Sequence, residues 1–149
     1  MSMPSPTPPD DRFAIQDLLA RYAWALDTGD HETYASLFTP DGVFVERGVP
    51  WRGRAVLAEH IRDLSTRMAR GNRHHNTQIL FEEGDDTRVR LRSYSTHIAH
   101  PEPGAPGVVR MQGWYRDVVV KIDGAWYFEE RIWDEWHPET LAEHRPPPR

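Results

Sequence analysis

From residue 72 to residue 136 the chain runs through four long segments of strand character separated by short turn signals. This pattern restricts the fold more than any other feature of the sequence. Arg73–Glu82 is one predicted strand, Glu83-Gly-Asp-Asp86 a turn, and Thr87–His100 a second, longer strand. Pro101–Gly107 holds three prolines and two glycines and is read as a loop. Val108–Lys121 is a third strand, Asp123-Gly124 a hairpin signal, and Ala125–Trp136 the last strand. Strands that follow one another through such short connections pair antiparallel.

Helical spacing precedes them. Residues 10–28 place Ile15, Leu19, Tyr22 and Leu26 on one stripe, with Ala20, Ala23 and Trp24 on a second, partly apolar face. A helix buried on more than one side is expected. Gly29 is a natural stop, and Asp30 can cap a short second helix carrying Tyr34, Leu37 and Phe38. Thr39-Pro-Asp-Gly42 reads as a turn before a strand at Val43-Phe-Val45. Gly53 to Arg70 is a third helix, with Leu57, Ile61, Leu64 and Met68 in register, ended by Gly71. The fold class is therefore α+β, with helices against one face of a curved sheet. One domain over 10–137 is expected, between a disordered proline-rich tail at 1–9 and a C-terminal tail at 138–149.

Composition narrows the function classes. The net charge is −5, and 17 Arg and one Lys are interleaved with acids along the chain, so no phosphate-binding patch forms and nucleic acid is not an expected partner. The absence of cysteine excludes thiolate catalysis and Cys-ligated metals. No apolar run reaches the roughly 20 residues of a membrane helix, and Met1–Pro9 lacks a secretion-signal pattern. A cytoplasmic protein is expected. Eight His, six Trp and five Tyr are suited to an aromatic-lined, proton-transferring cavity.

Several residues could carry chemistry. Asp27 falls in the last turn of the first helix, where the macrodipole disfavours a carboxylate by about 0.3–1 kcal/mol. A solvated helix end would account for it, and so would a functional partner. His74 and His75 open the first long strand, and adjacent strand residues point to opposite faces. Parity with Thr77, Ile79 and Phe81 favours His75 as the inward residue, although a bulge at the strand start would change the phase. The same geometry makes the pair a poor chelate. With no His-x-His and no His-Glu-x-x-His pattern, no metal site is expected. His97 shares a face with Val89, Leu91, Ser93, Ser95 and Ala99, which suits either a hydrogen-bonded core histidine or a functional one. Arg131 lies among aromatics and is flanked by Glu130 and Asp134, which suits an ion-pair partner rather than a ligand clamp, the second reading. Met111, Trp114 and Trp133 on the late strands, with Trp24, are candidate cavity walls.

The order and spacing of these pieces resemble the SnoaL-like branch of the NTF2-like superfamily. The resemblance rests on Ile15-Gln-Asp-Leu-Leu-Ala-Arg-Tyr22, Leu26-Asp27-Thr-Gly-Asp30 and Leu37-Phe-Thr-Pro-Asp-Gly42. It also rests on Trp51-Arg-Gly-Arg54, Arg73-His74 and Asp123-Gly-Ala-Trp126, and covers roughly residues 11–135. It implies an NTF2-like cone: three N-terminal helices packed on a strongly curved antiparallel sheet, with a deep pocket between. Within the family the pattern is similar to scytalone dehydratase and bile acid 7α-dehydratase. There a Tyr and an Asp of the first helix face a His at the start of a strand. By that likeness Tyr22, Asp27, His74 and His97 are the expected catalytic groups, with His75 as the alternate to His74 and a substrate-binding residue. Leu26 stands where scytalone dehydratase has a tyrosine. The resemblance implies a cofactor-free dehydratase, isomerase or cyclase acting on a small hydrophobic substrate, or a binding protein or dioxygenase small subunit using the same cone. It also implies a homodimer or homotrimer.

Overall fold

The computed structural model describes residues 7–67 and 71–146. Residues 1–6 and 147–149 of the expected tails, and Met68 and Arg70 of the expected third helix, lie outside the described residues. The elements are α1 (Pro9–Thr28), α2 (His31–Ser36), β1 (Phe38–Glu46), β2 (Val49–Arg52), α3 (Arg54–Arg67), β3 (Arg73–Gly84), β4 (Arg88–Ala99), β5 (Val108–Ile122), β6 (Ala125–Glu135) and a 3-10 helix at Pro138–His144. The helices do not all come first. The β1–β2 hairpin separates α2 from α3.

The six strands form one sheet in the order β2-β1-β6-β5-β4-β3. β3 to β6 are consecutive antiparallel neighbours, but β1 pairs parallel with β6, which departs from the all-antiparallel expectation. β1 also begins before its predicted start. Phe38 pairs with Phe128 and Val43 with Glu130, so the four residues Thr39–Gly42 stand opposite Glu129 alone and loop out within the strand. The expected turn chemistry is present there, inside the strand rather than before it. A Cβ on Gly42 would lie 2.9 Å from the Phe38 Cβ and 3.0 Å from the Phe128 carbonyl, which only glycine tolerates.

α1 buries a single stripe. Ile15, Leu18, Leu19, Tyr22, Ala25 and Leu26 face the sheet, whereas Ala20 and Trp24 are exposed. The small residues of the second face thus meet solvent and not a neighbouring layer. Asp11 ties the N-terminal turn of α1 to the β5–β6 hairpin, accepting from Trp126 Nε1 at 2.9 Å and Lys121 Nζ at 2.8 Å. Leu57 and Ile61 of α3 are fully buried against Phe38 and Phe44, each contributing about 1.5–3 kcal/mol. The C-terminal segment is structured through the 3-10 helix. The His144 ring packs against Trp114 and Trp136, with centroids at 4.1 and 4.2 Å, and Arg92 donates to the carbonyls of Glu143 and Arg145. Thr7 and Pro9 of the expected N-terminal tail are likewise part of the fold: Thr7 is buried and Pro9 starts α1.

Candidate active site

The end of α1 sets the first part of the site. Gly29 adopts φ 70° and its N–H reaches back to the carbonyls of Ala25 and Leu26, closing the helix one turn beyond Leu26. Asp27 is thereby directed at the first residues of β3. Both of its carboxyl oxygens accept from the His74 backbone N–H at 3.1 Å, and Oδ1 lies 2.6 Å from His74 Nδ1. The Asp27 side chain is 7% exposed and that of His74 11%. A carboxylate oxygen there accepts, so Nδ1 is the donor, and the neutral tautomer of His74 that fits this contact has its lone pair on Nε2. These contacts offset the unfavourable position of an acid at a helix C-terminus.

His74 rather than His75 is inward, and the cause is a bulge at Gln78. Thr77 pairs with Tyr94 and Leu80 with Arg92, so β3 holds one more residue than β4 across this stretch. Gln78 takes φ 50° to accommodate it. The phase of β3 reverses there: His74 and Asn76 point inward before the bulge, and Ile79 and Phe81 pack on the core after it. His75 is exposed, against the parity expectation.

His97 sits opposite His74 in the β3–β4 register, and the two rings stack with centroids 4.3 Å apart and planes at 19°. His97 is buried, and neither ring nitrogen has a hydrogen-bond partner among the described residues. Burial, followed by the neighbouring His74, pulls its pKa down to about 4, so the imidazole is neutral near pH 7. Such an orphaned pair of polar atoms calls for a partner from within the cavity.

A second polar group lies deeper. The Tyr34 hydroxyl donates to the Tyr22 hydroxyl at 3.3 Å, and burial raises the pKa of both phenols. The Arg131 guanidinium lies 3.6 Å from the Tyr115 ring centroid, 4.1 Å from that of Tyr22 and 4.7 Å from that of Phe128. Arg131 is fully buried. Its Nη2 donates to Asn76 Oδ1 at 3.0 Å, and Nη1 lies 3.3 Å from Asp117 Oδ2. Its acid partner is thus the cross-strand Asp117 rather than Glu130 or Asp134. Asp134 bonds Arg116 instead. Burial pushes the Asp117 carboxyl up to about 7, against the pull of Arg131.

Between helices and sheet lies a cavity of about 620 Å³, the open space at its mouth included. Tyr22, Leu26 and Tyr34 line it from α1 and α2, and Ile61 and Leu64 from α3. The sheet contributes Phe44, Glu46, His74, Ser95, His97, Met111, Tyr115 and Trp133. Asp27 stands behind His74. Two proposed wall residues are elsewhere. Trp24 is 71% exposed on the outer side of α1, and Trp114 faces the far side of the sheet against His144. Ser95 shares the alternation of His97. Glu46 is two residues after Phe44, just beyond the Val43-Phe-Val45 segment read as strand, and is not among the expected site residues. Among the described residues no group of three or more His, Asp or Glu side chains converges as a metal site.

The sequence model of the SnoaL-like domain matches residues 9–132. A variant of Rv3472 from Mycobacterium tuberculosis, a protein of unknown function, superposes with a TM-score of 0.77 at 32% identity, covering 85% of this chain and 77% of that one. A provisionally named scytalone dehydratase from Novosphingobium aromaticivorans gives a TM-score of 0.73 at 27% identity, over 85% of each chain. A Catenulispora acidiphila protein in complex with S-DNPA gives 0.74 at 28% identity, over 90% of this chain and 97% of that one. No curated protein matches the sequence.

Proposed function

The chain belongs to the SnoaL-like domain family, and on that premise we propose that it is a cofactor-independent acid/base enzyme, a dehydratase acting on a hydrophobic cyclic substrate of polyketide or steroid-like shape. The observation that carries this reading is the Asp27–His74 contact of 2.6 Å behind a cavity whose wall is mostly apolar. The likeness to the provisionally named scytalone dehydratase supports the same reaction class.

Asp27 holds His74 in the tautomer whose Nε2 is the base and stabilises the imidazolium once formed, as the acid does in a Ser-His-Asp triad. His74 removes a proton from the carbon α to a substrate carbonyl. The C–H electron pair forms an enolate, which then expels the β-hydroxyl. Proton return from His74 releases that group as water and leaves a conjugated double bond. A positioned base of this kind contributes about 10²–10⁴-fold. Tyr22 and His97, which line the same cavity, hydrogen-bond the developing enolate oxygen in this reading. His97 stays neutral, so it does not repel the imidazolium forming beside it. Leu26, Phe44, Ile61, Met111 and Trp133 shield the reacting carbon from water. Double-bond isomerisation or ring closure would use the same groups. Elimination is preferred because the spacing of Tyr22, Asp27 and His74 resembles that of the dehydratases.

The test is kinetic. With a substrate in hand, Asp27→Asn and His74→Ala are each expected to lower turnover at least about a hundredfold, with unchanged circular dichroism. Near-wild-type turnover in both variants would refute the proposal.

A further inference from the structure

Glu46 is a carboxylate that fold stability does not explain. β1 alternates so that Phe44 and then Glu46 point into the cavity. There Glu46 shares the wall with Leu64, Met111 and Trp133. Its carboxylate makes no hydrogen bond or ion pair among the described residues, although its backbone pairs within the sheet. The adjacent Arg47 is committed elsewhere, to Glu135, with its guanidinium 5.1 Å from the Trp133 ring centroid. Half-buried, Glu46 still reaches solvent while the cavity is empty. An apolar ligand filling the cavity would strip that hydration and leave an ionised carboxylate without a partner, which is strongly unfavourable. A ligand that donates a hydrogen bond to Glu46 removes the penalty and gains a short charge-assisted bond.

The position of Glu46 fixes where that donor must lie. In the sheet β6, β5 and β4 separate β1 from the His74 strand β3. Four interstrand steps make a path of about 19 Å along the sheet, and the curvature shortens the chord across the cavity. The donor therefore sits at the end of the ligand remote from the reacting carbon. We propose that Glu46 is a specificity-determining residue that selects flat fused-ring compounds bearing a hydroxyl at the end opposite the one His74 acts on. This rests on the reading of His74 as the base only for the orientation of the ligand.

The experiment uses two probes, 6-hydroxy-2-acetonaphthone and its 6-methoxy ether, titrated calorimetrically into the intact protein. The wild type is expected to bind the hydroxy ketone at least about tenfold more tightly than the ether, as for a hydrogen bond to a charged group. In Glu46→Leu that ratio should fall to near one, with the ether bound more tightly than by the wild type. Glu46→Gln, which keeps an acceptor of the same shape without the charge, should give an intermediate ratio. Equal wild-type affinities, no binding of either ketone at millimolar concentration, or an undiminished ratio in Glu46→Leu would each overturn the proposal. His74→Ala separates it from the catalytic reading: the ratio should persist there even though turnover is lost. If the Asp27 and His74 variants keep full turnover, the base assignment fails and the Glu46 ratio still stands.

Discussion

Arg131 and Asp117 face one another across β5 and β6 with neither side chain reaching solvent, and Arg131 also carries the rings of Tyr22 and Tyr115. Removing one partner of such a pair leaves an uncompensated buried charge. Arg131→Met is expected to destabilise the protein by about 3–5 kcal/mol, read from urea unfolding. The pair and His97 also set opposing pH dependences. The folded pKa of Asp117, about 7, lies above the ordinary carboxylate value, so its contribution is complete below about pH 4 and is lost as pH rises to 7. The folded pKa of His97, about 4, lies below the ordinary imidazole value, so its contribution is complete above about pH 6.5 and is lost as pH falls to 4. Urea midpoints from pH 4 to 8 should show Asp117→Asn gaining stability with pH more steeply than the wild type, and His97→Gln the reverse. At this scale the sequence was readable where spacing carried information. His97 and Tyr22 sit where strand and helical periods put them, whereas Asp27, on the same helical face as the exposed Ala20 and Trp24, is buried by its contact with His74, which spacing along α1 does not announce. Arg131 could not be matched to Asp117, because that pairing depends on the β5–β6 register and not on chain proximity.

Two irregularities in the strands do most to shape the cavity. The bulge at Gln78 lets one strand turn His74 to the cavity and Asn76 to Leu19 and Arg131 before it, and Ile79 and Phe81 to the core after it. A chain lacking Gln78 must turn one of these pairs outward. It is expected to lose the Asp27–His74 contact or to unfold at markedly lower urea. The His74 ring resonances, followed by NMR through a pH titration, would report which. Alternation along β4 was legible because that strand runs unbroken from Val89 to Ala99 on its buried face. Parity failed at His75 because a bulge leaves no mark in residue type: Gln is not a residue chosen for positive φ. The looped-out Thr39–Gly42 misled in the opposite way, since proline and glycine announced a turn that the strand absorbs.

Taken whole, the molecule is a helix layer over a sheet whose other face is crossed by the C-terminal segment. Residues 138–149 were expected to be a tail outside the domain, yet His144 packs beside Trp114 and Trp136. Ending the chain at His137 would uncover that aromatic patch. A loss of about 1–3 kcal/mol is expected in urea unfolding, with turnover per folded molecule unchanged. The α+β layout and the sheet's β3–β6 order followed from turn spacing alone. The parallel partnership of β1 and β6 did not, because no local signal announces a pairing between distant parts of a chain.

That partnership also governs how the protein is made. β6 fits between β1 and β5, so the early hairpin and the later meander cannot join until the last strand has left the ribosome. At roughly 5–20 residues per second the nascent N-terminal half waits several seconds with an open strand edge and an uncovered apolar helix stripe. The acid of α1 can meet its histidine partway through translation, but the chamber around them closes only at the end. Newly made chains would therefore draw on chaperones at a stage when half the eventual site already exists.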